Sequence, residues 1–202
     1  MDKHKIADKT FCTVGDIVKK SDFLATGLKD QDVYLLLRQG YIERVRNGYY
    51  RMSSTNDTQE ESMLSRLMTH GILCMESALF YYGYSDFTPR KWTMAIPRNF
   101  SRTVKAIEKT IPIKAYYVRN HVYHLGETTG VFNGVILPVY DRERTICDCF
   151  KYRTKLDKEI FTKALHAYVK DPQKNLMNLT EYAKEMGIYK SMINLMEVLL
   201  NG

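Results

Sequence analysis

The feature that most constrains the fold is a short amphipathic helix predicted at residues 28–39, which is followed at once by a glycine. Its apolar residues Val33, Leu36 and Leu37 recur at three- and four-residue spacing, so they share one face of the helix. Gly40 then supplies the left-handed backbone conformation that commonly ends a helix. A helix of this kind packs on one side and leaves its opposite side to solvent.

Two short strands are predicted directly after Gly40, at residues 41–45 and 49–52. They flank Asn47 and Gly48, a dipeptide favoured in type I′ turns, in which both central residues have positive φ. The sequence therefore predicts a tight hairpin, and its tip is expected to carry arginines at positions 44, 46 and 51.

A helix that ends at a glycine and leads into a basic hairpin is typical of a winged helix-turn-helix, whose recognition helix enters the DNA major groove. The same order of elements also occurs in small α+β domains without a nucleic-acid role, but three arginines in one short hairpin favour phosphate contacts. The helix would face bases, and the hairpin would hold the backbone and the minor groove. The residues predicted to bind DNA are Lys29, Gln31, Tyr34 and Arg38 on the helix, and Arg44, Arg46, Asn47 and Arg51 on the hairpin.

The segment before this helix is predicted to contain two further helices. Thr13 precedes Asp16 by three residues, which resembles a capping box at a helix start, and Ile17 begins an apolar face. Ile6 indicates a short helix before it. The segment 19–26 fits either a longer second helix or an extended turn.

Six polar residues without periodicity, at positions 53–58, indicate a linker. The chain is therefore predicted to be an α+β protein, with a winged helix-turn-helix domain at residues 1–53 and a mixed α/β domain at residues 59–202 that ends in helices. Within the second domain, helices are predicted at 60–69, 75–82, 102–109, 142–152, 155–169, 178–186 and 189–200, and strands at 92–96, 113–118 and 131–139.

The charge of the chain is compatible with nucleic-acid binding but is not concentrated in one arm. The formal charge of +7 is divided as +3 over residues 1–53 and +4 over residues 54–202. No run of about 18 apolar residues occurs, and the N-terminus lacks the apolar segment of a secretory signal. A cytoplasmic location and no membrane contact are therefore expected.

The cysteine pattern does not predict a disulfide framework. Cys12, Cys74, Cys147 and Cys149 are few and widely separated, so they are expected to be reduced core residues.

Patterns that would indicate a catalytic, metal or cofactor site are absent from the sequence. His121 and His124 would point to opposite faces of a strand, and Cys147 and Cys149 would lie about 200° apart on a helix, so neither pair converges on a metal. The chain also lacks a phosphate-binding loop, a dinucleotide fingerprint, a nucleophile elbow and a zinc-protease helix motif. No catalytic residue, metal or cofactor is therefore expected.

The charged segment at residues 141–148 has two interpretations. In the first, Arg142 or Arg144 contacts phosphate and Asp148 acts as an acid or base. In the second, Asp141 caps a helix in which Asp148 pairs with Arg144 four residues earlier. The second interpretation is preferred, and the arginines are reserved for binding.

Several segments of the chain occur together in one protein family. They are Gly27 with Leu28, residues 36–42, residues 46–50 in the hairpin, residues 77–79 before Gly83, and residues 143–145 with Asp148. On these segments the chain resembles the AbiEi-type antitoxins of bacterial type IV toxin–antitoxin systems, over nearly its whole length. One departure is the stretch between Thr13 and Gly27, which is longer than is usual for a compact helix-turn-helix.

The resemblance implies an N-terminal winged helix-turn-helix joined to an antitoxin domain in a cytoplasmic protein. It implies that the protein counters a nucleotidyltransferase-like toxin without forming a stable complex, represses its own operon by binding inverted repeats in the promoter, and takes part in phage abortive infection. Two alternatives are a nucleic-acid-processing enzyme centred on the C-terminal charges and a protein-interaction module that uses the winged helix. Secondary nucleic-acid contacts are assigned to Arg90, Lys91, Arg98, Arg102 and Arg144.

Overall fold

The computed structural model describes residues 2–54 and 59–201 and shows a mixed α/β protein with two sheets. The chain forms two compact units. Unit 1 comprises the chain up to Thr69 together with Lys109–Ile111, and unit 2 comprises His70–Glu108 and the chain from Pro112 onward. Every helix among the described residues is too short or too polar to cross a bilayer.

Unit 1 builds a core from helices and a small antiparallel sheet with strand order β1-β3-β2. Its helices are α1 at Lys3–Val14, α2 at Lys20–Ala25, α3 at Asp30–Arg38 and α4 at Glu60–Leu67, and its strands are β1 at Val18–Lys19, β2 at Ile42–Arg46 and β3 at Tyr49–Met52. The side chains buried in its core include Ala7, Phe11, Phe23, Leu28, Val33, Leu36, Ile42 and Tyr50. The face predicted for the helix at 28–39 is confirmed, because Val33 and Leu36 lie in this core and Leu37 packs against it.

The helix start predicted at Thr13 is wrong. Thr13 lies in the last turn of α1, where its hydroxyl donates to the Lys9 carbonyl at 2.8 Å, and Gly15 with φ of 108° ends the helix. The second helix begins only at Lys20, after the two-residue strand β1. The segment 19–26 therefore consists of the short helix α2 with one capping residue at each end, and it is neither a longer second helix nor an extended turn.

The hairpin predicted after Gly40 is confirmed, but its turn type is wrong. Strands β2 and β3 pair antiparallel, with Arg46 opposite Tyr49 across the turn. Gly48 has a φ of 79°, whereas Asn47 has no positive φ, so the turn is not type I′. A register shift between positions 44 and 46 marks a bulge in β2.

The linker predicted at residues 53–58 lies mostly outside the described residues, which omit 55–58. Helix α4, which follows this segment, belongs to unit 1. Its Arg66 forms an ion pair with Asp22 at 2.6 Å and donates to the Ile17 carbonyl at 3.1 Å. The assignment of separate functions to residues 1–53 and 59–202 stays a prediction.

Unit 2 is built on a five-stranded mixed sheet with strand order β6-β5-β4-β8-β7, in which β5 and β6 are parallel and β4 and β8 are parallel. The strands are β4 at Ile72–Leu73, β5 at Trp92–Pro97, β6 at Ile113–Val118, β7 at Glu127–Phe132 and β8 at Val135–Tyr140. The helices are α5 at Met75–Tyr81, α6 at Ser101–Ile107, α7 at Arg142–Lys151, α8 at Lys158–Lys170, α9 at Leu176–Glu185 and α10 at Tyr189–Asn201.

The single strand predicted at residues 131–139 is wrong, because the segment belongs to a hairpin formed by β7 and β8. Asn133 and Gly134 have φ values of 46° and 82°, so they form the tight turn with two positive φ angles that the sequence had suggested for the first hairpin. Pro138 lies inside β8 opposite Thr129, although proline is uncommon in the interior of a strand. It is tolerated there because the neighbouring strand β4 contributes only two residues.

The predicted helices of unit 2 agree with the structure to within a few residues. Asp141 caps α7 as predicted, since its carboxylate accepts a hydrogen bond from the Arg144 N–H at 2.7 Å. In α10, Met192 and Met196 are buried. All four cysteines are free; Cys74, Cys147 and Cys149 are buried, but Cys12 is exposed, so its assignment to the core is wrong.

Candidate nucleic-acid interface

Helix α3 is held in place by a four-residue turn after α2. Gly27 in this turn has a φ of 100°, a conformation that favours glycine, and Leu28 is buried in the core of unit 1. The turn begins after Ala25 and ends at Lys29, the residue that precedes the first turn of α3. Lys29 is exposed at that end of the helix.

Four exposed side chains of α3, Gln31, Tyr34, Leu35 and Arg38, form one stripe along the helix. At about 100° of rotation per residue, they fall within roughly 100° of one another, on the side opposite the core residues. Tyr34 is 62% exposed and Leu35 is 39% exposed. This exposed stripe contains three of the predicted helix residues together with Leu35, which was not among the predicted residues although it follows Gln31 by four positions.

The acidic residues at the start of α3 are neutralised within unit 1. Asp30 pairs with Lys20 at 3.0 Å, and Asp32 pairs with Lys3 at 2.6 Å. Hydrogen bonds from the Lys3 side chain and from the Lys29 N–H lower the pKa of Asp32. The negative charge that would repel a phosphate backbone is therefore matched locally by two lysines.

Two arginines of the hairpin lie against tyrosine rings. The Arg44 guanidinium is 5.9 Å from the centre of the Tyr50 ring, and the Arg46 guanidinium is 5.8 Å from that of Tyr49. Neither arginine forms an ion pair with a side chain of the described residues, and Asn47 is exposed beside them at the turn. Both cations thus lie against aromatic rings, and no carboxylate of the described residues engages their hydrogen-bond donors.

Arg51 is in a different environment from the other two arginines. It lies opposite Glu43 in the ladder and donates to the same carboxylate oxygen from Nε at 3.1 Å and from Nη2 at 2.9 Å. Its placement at the tip is wrong, because it lies in β3 three residues after Gly48, one ladder pair farther from the turn than Arg44. Its charge is already balanced by Glu43.

The secondary basic residues predicted in the C-terminal half do not form one cluster in unit 2. Arg90 and Lys91 are exposed just before β5, and Arg98 and Arg102 are exposed beyond its other end. A six-residue strand is roughly 20 Å long, so the two pairs lie at opposite ends of it.

Arg144 cannot belong to a nucleic-acid surface, because it is fully buried. Its Nε contacts Asp148 at 3.2 Å, which confirms the predicted pairing four residues apart, and its Nη1 donates to the carbonyls of Val122 and Leu125. The guanidinium also lies 4.2 Å from the centre of the Tyr140 ring. Burial and these contacts give Arg144 a structural role.

The neighbouring charges of α7 are engaged in the same way. The Glu143 carboxylate accepts hydrogen bonds from the Tyr168 hydroxyl at 3.1 Å and from the Asn175 N–H at 2.7 Å, and Arg142 pairs with Asp171 at 2.9 Å. Residue spacing does not predict these partners, since they lie 25 to 32 residues away along the chain. The start of α7 therefore carries three charged residues whose side chains are held by partners within unit 2. These residues, Arg142, Glu143 and Arg144, form what we call the bracing cluster.

The buried cysteines offer little nucleophilic or ligand chemistry. Burial raises the pKa of the Cys74, Cys147 and Cys149 thiols, so they stay protonated near neutral pH. Within residues 2–54 and 59–201, no three His, Cys, Asp or Glu side chains are grouped so that they could hold a metal ion.

Comparison with known proteins extends the description of the fold. No protein-family model matches the chain, and no curated protein matches it. The chain is similar in fold to the RV2827C protein from Mycobacterium tuberculosis, known from a crystal structure, with a TM-score of 0.66 and 14% sequence identity. The similarity covers 98% of this chain and 75% of that one, and at this identity it shows a shared fold alone.

Proposed function

We propose that unit 1 is a winged helix-turn-helix that binds duplex DNA, with α3 in the major groove and the β2–β3 hairpin on the backbone. The observation that carries this proposal is the exposed stripe on α3, whose opposite face is fixed in a core. The order of three helices, a short turn with a positive-φ glycine, and a two-stranded hairpin is that of this class of DNA-binding domain.

The charges around α3 and the hairpin suit the two kinds of contact that such a domain makes. Gln31 and Arg38 carry groups that bond bidentately to adenine and guanine edges. Arg44 and Arg46 have no ion-pair partner among the described residues and lie in the hairpin, where phosphate contacts fix position without reading sequence. The pairing of Arg51 with Glu43 makes it a weaker candidate for such contacts.

At the level of the whole protein, we propose an antitoxin that represses its own operon. The support is the resemblance to AbiEi-type antitoxins together with the DNA-binding proposal for unit 1. In this proposal the protein acts in the cytoplasm and counters a nucleotidyltransferase-like toxin without forming a stable complex with it.

DNA binding is tested by titrating the full-length protein against the duplex upstream of its own gene and against a shuffled duplex, at several salt concentrations. Each phosphate contact releases counterions, so the logarithm of affinity is expected to fall linearly with the logarithm of salt, with a slope of about −0.9 per contact. Affinity that does not change with salt would contradict the proposed backbone contacts.

Whether operon repression and toxin neutralisation are separable is tested with the full chain carrying Arg38→Ala and Arg46→Ala together. Repression of a promoter reporter is expected to be lost, because both the stripe and the hairpin lose a cation, while growth rescue in cells expressing the toxin is retained. Arg153→Ala, at an exposed position of unit 2, is the matched control and is expected to retain both. Loss of rescue in the double variant would show that the two activities are not separable.

A further inference from the structure

Leu35 lies in the middle of the exposed stripe and takes no part in the core of unit 1. It is 39% exposed, whereas Val33 and Leu36 of the same helix are 2% and 0% exposed. Leu35 follows Gln31 by four residues and precedes Arg38 by three, so its side chain lies beside both on the helix surface. The stripe therefore presents an apolar group flanked by an amide and a guanidinium.

The three side chains differ in what they can recognise on a base-pair edge. An amide and a guanidinium form hydrogen bonds, and these favour adenine and guanine respectively. A leucine has no donor or acceptor, and the apolar group available in the major groove is the 5-methyl group of thymine. Gln31 and Arg38 cannot substitute for Leu35 in that contact.

We infer that Leu35 contacts a thymine 5-methyl group in the major groove and so contributes sequence selectivity; this rests on the proposed DNA-binding function. The contact removes from water both the exposed part of Leu35 and the methyl group, which favours thymine over a base that lacks the methyl. Burial of one methyl-sized group corresponds to about a fourfold change in affinity.

The test begins by selecting bound duplexes from a random 20-base-pair library with the full-length protein. Each thymine of the selected duplex is then replaced singly by deoxyuridine, which keeps every hydrogen-bonding group and removes only the methyl. At one thymine per recognition helix, the wild-type protein is expected to lose about fourfold in affinity, the value for one buried methyl group.

Variants of Leu35 assign the effect to this side chain. Leu35→Ala is expected to bind thymine and deoxyuridine duplexes equally at that position and to keep the salt dependence of the wild type, whereas Leu35→Met is expected to retain the discrimination. Leu176→Ala is the matched control, because Leu176 is 41% exposed in unit 2 and is expected to leave the discrimination unchanged.

The outcomes separate this inference from the proposed function. Salt-dependent binding with no deoxyuridine effect at any position would overturn the inference and leave DNA binding intact. The inference is also overturned, with DNA binding intact, if Leu35→Ala keeps the wild-type discrimination between thymine and deoxyuridine. That result is expected if Leu35 packs on another protein and not on DNA. Failure of the library to yield any salt-dependent binding would overturn the proposed function itself, and the inference with it.

Discussion

Arg38 and Arg46 carry the same charge in unit 1 but sit in different surroundings. Arg38 is exposed in the last turn of α3, on the stripe, whereas Arg46 lies against the Tyr49 ring next to the hairpin turn. A guanidinium on a recognition helix can reach a base edge, while one on a hairpin meets phosphate. The two residues are therefore expected to contribute to binding in different ways.

Replacing Arg46 by Ala is expected to weaken binding to selected and random duplexes alike. Replacing Arg38 or Gln31 by Ala is expected to cost about 1–3 kcal/mol on the selected duplex and much less on random DNA, because only the selected duplex offers the matching base edge. Competition titrations on the two duplexes measure both losses. Arg51→Ala serves as the control with a balanced charge, and equal losses on both duplexes for Arg38, Gln31 and Arg46 would refute the placement of α3 in the groove.

Residue spacing alone predicted part of the Arg144 environment. The four-residue separation from Asp148 places the two side chains on one helical face, so that pairing followed from the sequence. The carbonyls of Val122 and Leu125 come from 22 and 19 residues earlier in the chain, and no local pattern brings them to a helix. For this reason the full burial of Arg144, and its removal from the DNA-binding set, could not be predicted.

At the scale of the elements, the turn that leads into β7 requires a glycine at position 126 for two reasons, its backbone conformation and its close packing against α7. Gly126 has a φ of 73°, and a Cβ placed there would lie 2.5 Å from the Arg144 Cβ and 2.9 Å from the Asp141 Oδ1. Gly134 in the β7–β8 turn has a φ of 82°, but an added Cβ would meet nothing within 4 Å. The two glycines thus share backbone conformation and differ in packing.

Gly134→Ala is expected to destabilise the protein by about 1–2 kcal/mol, the cost of a left-handed conformation with a side chain. Gly126→Ala is expected to cost about 2–5 kcal/mol, because overpacking against α7 adds to the same backbone cost. Urea unfolding of both variants measures the difference. Equal losses would show that the region around Gly126 yields readily to an added methyl group.

Local patterns predicted most elements, but near Thr13 they did not distinguish the start of a helix from its end, and they missed one turn. Thr13 and Asp16 have the spacing of a helix start, yet Thr13 is at a helix end, because its hydroxyl bonds back to the Lys9 carbonyl and Gly15 stops the helix. A hydroxyl near a helix terminus satisfies backbone groups at either end, so spacing alone does not distinguish the two. The Asn133–Gly134 turn was missed because its flanking residues are apolar enough to resemble one strand.

At the scale of the whole molecule, buried tyrosine hydroxyls set a limit on alkaline stability. Tyr140 and Tyr168 are fully buried in unit 2, and burial raises the pKa of each phenol well above its ordinary value. Tyr140 donates to the Tyr123 carbonyl at 2.6 Å, and Tyr168 donates to Glu143. The folded protein therefore keeps both phenols protonated where an unfolded chain ionises them.

Stability is expected to be complete below about pH 10, the ordinary tyrosine pKa, and to fall as pH rises above it. Each of these two tyrosines is expected to contribute a loss of about 1.4 kcal/mol per pH unit while it stays protonated in the folded state. Urea unfolding between pH 8 and pH 12, followed by circular dichroism and tyrosinate absorbance, measures the slope. Tyr168→Phe is expected to reduce the slope by one tyrosine. Ionisation of all fifteen tyrosines without loss of folded signal would contradict the burial argument, because exposed tyrosines such as Tyr34 ionise in the folded protein as well.

The bracing cluster at the start of α7 also affects when the protein can fold during synthesis. Glu143 needs Tyr168 and the Asn175 N–H, and Arg142 needs Asp171, so the carboxylate and the guanidinium lack these partners until the chain has grown past residue 175. At about 5–20 residues per second, the ribosome leaves α7 without them for a few seconds after its own residues emerge. Helix α7 therefore acquires these partners only after residue 175 has been synthesised.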